Sequence, residues 1–227
     1  MRVLSHVSVP SAGGSVLAQE IAQHVAAEFK KKHSVDIKSS EKAWTKLVRK
    51  CSGLIEVLSA NKEGNIFIEG LIDGLDLNMN IKRDVLESSA IFSHIVPALE
   101  SAIEKAGVSK DEVQSVEVIG GTSRIPKVHR ILKDFFDPVD VGAHINGDEA
   151  MAFGAALRAA NLSIAFRVKQ LHLYDGFPEP VKAVVSSEED GVIAEENIFD
   201  HDSHQGLKKD IVLEHNDKDL SVKILYG

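Results

Sequence analysis

The sequence predicts an α/β protein whose last part consists of β-strands. Stretches with apolar residues three and four positions apart, as in helices, precede and follow stretches where apolar and polar residues alternate. In addition, a strand-like stretch at residues 116–119 runs into a glycine pair and then a helix start. After residue 163 only the alternating pattern recurs, so a β segment of about 60 residues is expected to follow the α/β part.

Two amphipathic helices are predicted first, over residues 16–32 and 41–59. The basic run Lys30 to Lys32 lies at the end of the first helix, where positive charge complements the helix dipole. Cys51 falls on the apolar stripe of the second helix, which favours a buried core thiol over a nucleophile. The stripes consist of Leu17, Ile21, Val25 and Phe29, and of Trp44, Leu47, Val48, Cys51, Leu54, Ile55 and Leu58.

A small sheet and a third helix are predicted next. Apolar and polar residues alternate here, as is typical of strands. The apolar positions are Ile66 and Ile68, and then Leu75, Leu77, Met79 and Ile81. The helix is expected over residues 83–105, and Gly107 suits its left-handed C-terminal cap. Its apolar stripe is Ile91, Ile95, Leu99 and Ile103.

The last elements run from residue 116 to the end of the chain. A strand at 116–119 and a tight loop at 120–123 lead to Pro126, which suits the first position of a helix. A further helix is predicted over residues 148–160, with Asp148 as its N-cap. Strands are expected at Phe166, Val168, Leu220, Val222 and Ile224, separated by an acidic, turn-rich segment from Ser186 to Lys209. A domain boundary is placed near Ser163.

Composition excludes several classes of protein. The 227 residues carry a formal net charge of -8 with both signs scattered, which argues against a nucleic-acid partner. No stretch approaches the roughly 18 to 20 apolar residues that cross a bilayer, so no membrane span is expected. The first residues lack the apolar segment of a secretory signal, which predicts a cytosolic protein or a chain whose natural start is missing.

Glycine pairs before helix starts are the strongest chemical signal. Glycines let the backbone approach a ligand closely, and the free N–H groups and dipole of a helix N-terminus favour an anion. The loop from Gly120 to Arg124 has this form, and Gly13 with Gly14 precedes the first helix in the same way. Alone, such a loop is a weak indication, because many α/β proteins turn on two glycines and bind nothing there.

The surrounding motifs carry a resemblance to a family. Ile119-Gly120-Gly121-Thr122-Ser123-Arg124-Ile125-Pro126-Lys127-Val128 resembles the strand, loop and helix beside adenosine in heat-shock-70 nucleotide-binding domains. Ile145-Asn146-Gly147-Asp148-Glu149-Ala150, with Gly154-Ala155-Ala156 after it, resembles the helix that closes the same domain. The match continues in order over roughly residues 7–165, so the chain is identified as similar to the heat-shock-70 superfamily.

Other stretches look like one branch of that superfamily, the large hypoxia-up-regulated, glucose-regulated chaperones of the endoplasmic reticulum. These are residues 162–169, residues 57–61 and residues 220–227. The branch implies the endoplasmic-reticulum lumen, with the cytoplasm as the alternative. Asn161-Leu162-Ser163 is an N-glycosylation pattern, which is weak support for the lumen.

The resemblance implies an actin-like domain that holds ATP or ADP between two lobes. Residues 1–163 match the second lobe alone, and residues 164–227 match the linker and an incomplete client-binding β-domain with a loop insertion near 186–209. Residues 168–173 occupy the linker position, and an ordinary edge strand is the alternative there.

Site roles follow from the same resemblance, residue by residue. Gly13 and Gly14 would face the phosphates, and Ser59 would line the adenosine pocket. Gly120, Gly121 and Thr122 would contact the nucleoside, Arg124 would stack beside adenine, and Asp148 would support the pocket. The planar, weakly hydrated guanidinium of arginine suits such stacking.

Departures from the family pattern limit the expected chemistry. The family's phosphate loops, catalytic lysine and magnesium-organising aspartates precede Met1 in domain order. Ser52, Ile55 and Glu56 stand where the family offers Glu, Lys and Arg to the nucleoside. Since phosphoryl transfer needs positioned cations and a held metal, we expect no catalytic residue, no metal ligand and no ATP hydrolysis by this chain alone.

The leading hypothesis is a piece of a stress-response chaperone that binds ATP, with Mg²⁺ in the complete protein, and unfolded polypeptide clients. The branch adds nucleotide exchange on a partner heat-shock-70 chaperone. The alternatives are a non-catalytic protein-interaction module and a truncated gene product that binds no nucleotide. A sugar kinase would share the glycine loop but not the β segment that ends at Gly227. His201, His204 and His215 are expected in a solvated loop rather than a metal site.

Overall fold

A computed structural model describes residues 2–142, 144–174, 180–187, 189, 191–200, 203, 206–212 and 219–226. The chain forms two compact units. One, here the glycine-loop unit, contains Val9–Ala98 and Lys110–Arg158. The other, here the C-terminal unit, contains Met1–Ser8, Leu99–Ser109 and Ala159–Gly227. The functional division near Ser163 stays a prediction.

The first two predicted helices are confirmed. α1 spans Gly14–His33 and α2 spans Glu41–Ala60, with the short 3-10 helix Ile37–Ser39 between them. Ser40 caps α2, because its hydroxyl accepts a hydrogen bond from the Ala43 N–H at 3.3 Å. The basic run at Lys30 to Lys32 lies in the last turn of α1, as expected.

The predicted small sheet is an antiparallel hairpin of β1, Glu63–Ile72, and β2, Leu75–Lys82. Its turn residues Asp73 and Gly74 both have positive φ, 53° and 73°, as a type I′ hairpin requires. The alternation is confirmed, because Ile66, Ile68, Leu77 and Ile81 are buried. Phe67 points away from that face and is exposed.

Apolar faces of α1, α2 and the hairpin form the main core of the glycine-loop unit. α1 packs on α2, and α2 packs on β1. Each fully buried side chain of this kind contributes about 1.5–3 kcal/mol relative to an exposed one. The core members include Leu17, Ile21, Val25, Phe29, Leu47, Cys51, Leu58, Ile66 and Leu77.

The prediction of one continuous third helix is wrong. The chain forms α3, Arg83–Glu87, then the 3-10 helix Ala90–His94, and then α4, Ile95–Ala106. The break follows from local serine bonding: the Ser88 hydroxyl donates to the Val85 carbonyl, and the Ser89 hydroxyl accepts from the Ile91 N–H. The helix end is confirmed, since Gly107 has a φ of 66°.

A short parallel strand pair organises the second half of the glycine-loop unit. β3, Val116–Glu117, pairs with β4, Val141–Gly142, so the predicted strand is two residues shorter than expected. α5, Pro126–Phe136, begins at the proline as predicted. α6 spans Ala150–Leu162.

The prediction that Asp148 caps the last helix is wrong. α6 begins two residues later, and the Asn146 carbonyl accepts the Ala150 N–H at its start. The Asp148 carboxylate contacts Arg124 instead. A side-chain cap was expected from sequence, but the carboxylate has a cationic partner within reach.

Among the described residues of the C-terminal unit, three strands form an antiparallel sheet in the order β6-β5-β7. They are β5, Val181–Ser187, β6, Gly191–Phe199, and β7, Ser221–Tyr226. β7 confirms the predicted terminal alternation. The prediction of a strand from Phe166 is wrong, because residues 163–170 have no strand structure and Phe166 is exposed.

Two further predictions in this unit need correction. The segment at 186–209, predicted to be rich in turns, contains the strand β6. Its hydrogen bonds come from pairing with β5, which the local composition of an acidic stretch does not indicate. Residues 168–173 do not form an edge strand; the adjacent Tyr174 makes an isolated parallel bridge with Arg2.

The helices and strands together confirm the predicted α/β class. Within the described part of the chain, no helix is long and apolar enough to cross a membrane.

Candidate functional site

Two loops converge at the carboxyl edge of the β3–β4 pair. Parallel strands place their carboxyl ends at the same edge, so the loop after β3 meets the loop after β4. Gly120 has a φ of 90°, which a residue with a side chain rarely adopts. A Cβ atom on Gly147 would lie 3.1 Å from the Gly120 nitrogen, so the two backbones approach too closely for a side chain there.

The N-terminus of α1 lies against the same loop. A Cβ atom on Gly14 would lie 3.0 Å from Thr122 Oγ1. Gly13 is the N-cap of α1 and provides no side-chain hydrogen bond, which leaves the first N–H groups of a 20-residue helix without a cap. We call Gly13, Gly14, Gly120, Gly121, Thr122 and Gly147 the glycine cluster.

The charged pair of the site is Arg124 and Asp148. The Arg124 guanidinium donates to the Asp148 carboxylate, although the two residues are 24 positions apart. More than half of each side chain is exposed, 55% and 62%, so the pair contributes little to stability. Arg124 can therefore exchange this carboxylate for another partner at small cost.

A second charged pair lies at the same strand ends. The Glu117 carboxylate contacts His144 Nδ1 and accepts the His144 backbone N–H at 3.2 Å. The hydrogen bond with Glu117 raises the pKa of His144 above its ordinary 6.5. The same hydrogen bond lowers the pKa of Glu117 below its ordinary 4.5. The pair joins the end of β3 to the segment after β4.

The α2 residues predicted to face the nucleoside have other surroundings. Ile55 is buried, with 9% exposed, whereas Ser52 and Glu56 are exposed on the helix. The Ser59 hydroxyl donates to the Ile55 carbonyl at 2.8 Å within α2. Arg83 donates to the carbonyls of Leu58 and Asn61 at the end of α2. None of these contacts joins α2 to the glycine cluster, and the role of Ser59 stays a prediction.

Sequence reasoning identified most members of this site and missed three. Gly147 belongs to the motif at residues 145–150, yet its close approach to Gly120 depends on tertiary structure. Glu117 and His144 carried no signal, because their pairing depends on the register of β3 and β4. Arg124 and Asp148 are in direct contact, and their roles beside a nucleoside stay predictions.

The other chemical candidates in the chain are metal ligands and the cysteine. The described residues contain no group of three or more His, Cys, Asp or Glu side chains that could hold a metal ion. His201, His204 and His215, the other candidate ligands, lie outside the described residues. Cys51 is buried in the core as predicted, and burial raises the pKa of its thiol to about 12.

This arrangement fits a nucleoside with an attached anion better than it fits a metal. A Cβ on Gly14 or Gly147 would be in tight contact with the neighbouring loop. Gly120 and Gly121 face open space, so their backbone is open to a ligand. The uncapped helix start suits negative charge, and Arg124 offers a planar cation. Ile119 and Ile145 flank the cluster with exposed apolar surface.

Comparison with known proteins agrees with the motifs. The family model described as Hsp70 protein matches residues 2–227. Heat shock 70 kDa protein 16 of Arabidopsis thaliana is 34% identical over 180 residues, which cover 78% of this chain and 24% of that relative. Hypoxia up-regulated protein 1 of Danio rerio is 34% identical over 187 residues, 79% of this chain and 19% of the relative.

A third relative, the 97 kDa heat shock protein of Mesocentrotus franciscanus, is 30% identical over 185 residues, 80% of this chain and 21% of the relative. The chain spans about a quarter or less of the length of these relatives. The actin-like α/β interpretation of the glycine-loop unit agrees with the family match. The chain belongs to the heat-shock-70 family.

Proposed function

We propose that the glycine cluster, with Arg124 and Asp148, is the adenosine side of an ATP site in a heat-shock-70 chaperone. The observation that carries this proposal is the convergence of the α1 start, the Gly120 loop and the Gly147 loop on one edge. The helix start would receive the phosphates, and Arg124 would leave Asp148 to stack on adenine.

Nucleotide binding by this chain should be weak. In α2, a core isoleucine and an exposed glutamate replace the cations of the family pattern, so Ile55 offers no hydrogen bond and Glu56 opposes phosphate. The chain thus supplies backbone and Arg124 contacts without the surrounding positive charge. Glu56→Lys is expected to strengthen nucleotide binding, most visibly at low salt.

We assign no hydrolytic step to the residues of this chain. ATP hydrolysis requires cations and a held metal around the γ-phosphate. In a complete protein, Mg²⁺ and the phosphate-binding groups would come from other residues.

The cellular role extends the same proposal. The complete protein would bind unfolded polypeptide clients and, as a member of the large hypoxia-up-regulated branch, promote nucleotide exchange on a partner heat-shock-70 chaperone. Similarity to Hypoxia up-regulated protein 1 of Danio rerio and of Xenopus tropicalis supports that branch and the endoplasmic-reticulum lumen. Equal similarity to Heat shock 70 kDa protein 16 keeps the cytoplasm as the alternative.

Calorimetric titration of the purified chain with ADP and ATP, with and without magnesium, tests the half-site. The expected result is weak, saturable heat that Arg124→Ala abolishes. Arg130→Ala is the matched control, since Arg130 also pairs with a carboxylate, Glu87, but belongs to α5 outside the cluster. Binding that survives Arg124→Ala contradicts the proposed stacking role.

The second candidate is a protein-interaction module without nucleotide binding. Ser52, Ile55 and Glu56 favour it, because Ile55 and Glu56 stand where the family pattern has cations. This module predicts no heat at millimolar nucleotide for the wild-type chain and for Glu56→Lys. The same titration therefore separates the two functions.

A further inference from the structure

The buried residue of α6 is an asparagine. Among the residues of this helix, all of which the structure describes, Asn161 alone is buried, with 9% of its surface exposed. Apolar residues elsewhere on the helix, such as Met151 and Phe153, are mostly exposed. A polar amide is costly to bury unless both of its ends are hydrogen-bonded, so the burial of Asn161 indicates a specific structural role.

Both polar atoms of the Asn161 amide bond to the chain that follows α6. Its Nδ2 donates to the Lys169 carbonyl at 2.9 Å, and its Oδ1 accepts the Leu171 N–H at 3.2 Å. These two bonds lie on either side of Gln170, in the pattern that a neighbouring parallel strand would make. The amide thus recognises the backbone at Gln170 and not its side chain.

This contact closes residues 164–171, here called the strap, onto the end of α6. The strap has no helix or strand structure of its own. Among the hydrogen bonds of the described residues, those of Asn161 are the ones that tie Lys169 and Leu171 to the helix end. The Asn161 side chain therefore attaches Lys169 and Leu171, at the far end of the strap, to the end of α6.

Asn161 is also the acceptor residue of the motif Asn161-Leu162-Ser163. N-glycosylation would join Nδ2 to the anomeric carbon of a sugar linked to a lipid diphosphate. The bond from that carbon to the diphosphate oxygen breaks, the lipid diphosphate leaves with the electron pair, and Nδ2 loses one proton to a base. The atom that reacts is the atom that donates to Lys169.

We propose that Asn161 locks the strap onto α6, and that this lock and a glycan on Asn161 exclude one another. A sugar attached at Nδ2 needs space that a side chain with 9% exposure does not have. The folded chain therefore keeps this motif closed to modification, and a glycan added before folding leaves the strap open. The inference is independent of nucleotide binding.

Amide hydrogen exchange of Leu171, followed by NMR, measures the lock directly. Asn161→Ala removes the acceptor, and loss of one such hydrogen bond is expected to speed exchange of this amide about fivefold or more. Gln170→Ala is the matched control and should leave exchange unchanged, because the lock contacts only the backbone there. Unchanged exchange in Asn161→Ala overturns the proposal.

Tryptic cleavage at Arg167 and Lys169 provides a second readout, with cleavage at the exposed Lys208 as internal reference. Leu171→Pro removes the donor N–H while leaving Asn161 and its motif intact. It is expected to speed cleavage in the strap and not at Lys208, and circular dichroism checks its folding. If Asn161→Ala does not fold, Leu171→Pro decides the test, and equal strap cleavage in this variant and the wild type contradicts the lock.

The glycan is tested by secretion of the chain from a eukaryotic host and mass spectrometry of residue 161. Two results are expected. Glycan occupancy should be lower in the wild type than in Leu171→Pro, and trypsin should cleave the strap rapidly in every glycosylated molecule. Full occupancy together with wild-type strap protection contradicts mutual exclusion. Ser163→Ala, which abolishes the motif without changing Asn161, identifies the glycan.

Discussion

The Arg124–Asp148 pair gives the site a cation that is positioned yet free to move. Both side chains are more than half exposed, and such surface pairs contribute about 0–1 kcal/mol. A ligand can therefore recruit Arg124 without a large loss of protein stability. The opposite holds for Cys51, which is fully buried and whose pKa of about 12 excludes thiolate chemistry near neutral pH.

The Glu117–His144 pair should make stability depend on pH. The pKa of His144 is raised, so its contribution is complete below the ordinary 6.5 and is lost as pH rises through the folded value. The pKa of Glu117 is lowered, so its contribution is present above 4.5 and is lost as pH falls through its folded value. The pair therefore stabilises the chain most between pH 4.5 and 6.5.

NMR titration of His144 checks this prediction. The midpoint is expected above 6.5 in the wild type and lower in Glu117→Gln than in the wild type. The difference in stability between these two proteins should shrink as pH rises beyond the folded pKa of His144. A His144 midpoint that Glu117→Gln does not move contradicts the pairing.

At the scale of elements, each helix end and strand end has an identifiable cause. Ser40 caps α2, Gly107 ends α4, and Pro126 starts α5. The start of α1 has no side-chain cap, and the starts of α3 and α5 have none either. An uncapped start on a long helix is consistent with a site that receives an anion there.

Two glycine substitutions should have opposite effects. A Cβ on Gly53, inside α2, meets nothing within 4 Å, so Gly53→Ala is expected to stabilise the chain by about 0.5–1 kcal/mol through helix propensity. Gly147→Ala forces a Cβ to 3.1 Å from the Gly120 nitrogen, so it should destabilise the chain and weaken nucleotide binding. Urea unfolding and the nucleotide titration measure both; equal effects of the two variants contradict the close approach.

At the scale of the whole molecule, exposed apolar surface accumulates on α6. Met151, Phe153, Leu157 and Leu162 are each half or more exposed. Exposed apolar side chains in this number on one helix favour contact with another surface.

The isolated chain is therefore expected to self-associate. Size-exclusion chromatography with light scattering should show an apparent mass that rises with concentration, and Phe153→Glu should reduce it. Phe67→Glu is the matched control, since Phe67 is also exposed but lies alone on the hairpin. A monodisperse monomer at every concentration, with Phe153 intact, contradicts this expectation.

Local patterns in the sequence were sufficient for α1, α2, the β1–β2 hairpin and the start of α5. In each, a regular apolar period or a special residue acts within a few positions, and the structure confirms the result. The family and the residues of the glycine loop were also identifiable, because their motif is contiguous.

Tertiary structure alone decided the features that join distant residues. β6 forms in an acidic stretch because β5 supplies its hydrogen bonds, whereas Phe166 pairs with no strand among the described residues. The contacts of Gly147 with Gly120, Glu117 with His144, and Arg124 with Asp148 depend on the register of two short strands. The local period of apolar residues indicates which face of an element is buried. Pairing between elements depends instead on contacts between residues that are far apart in the sequence.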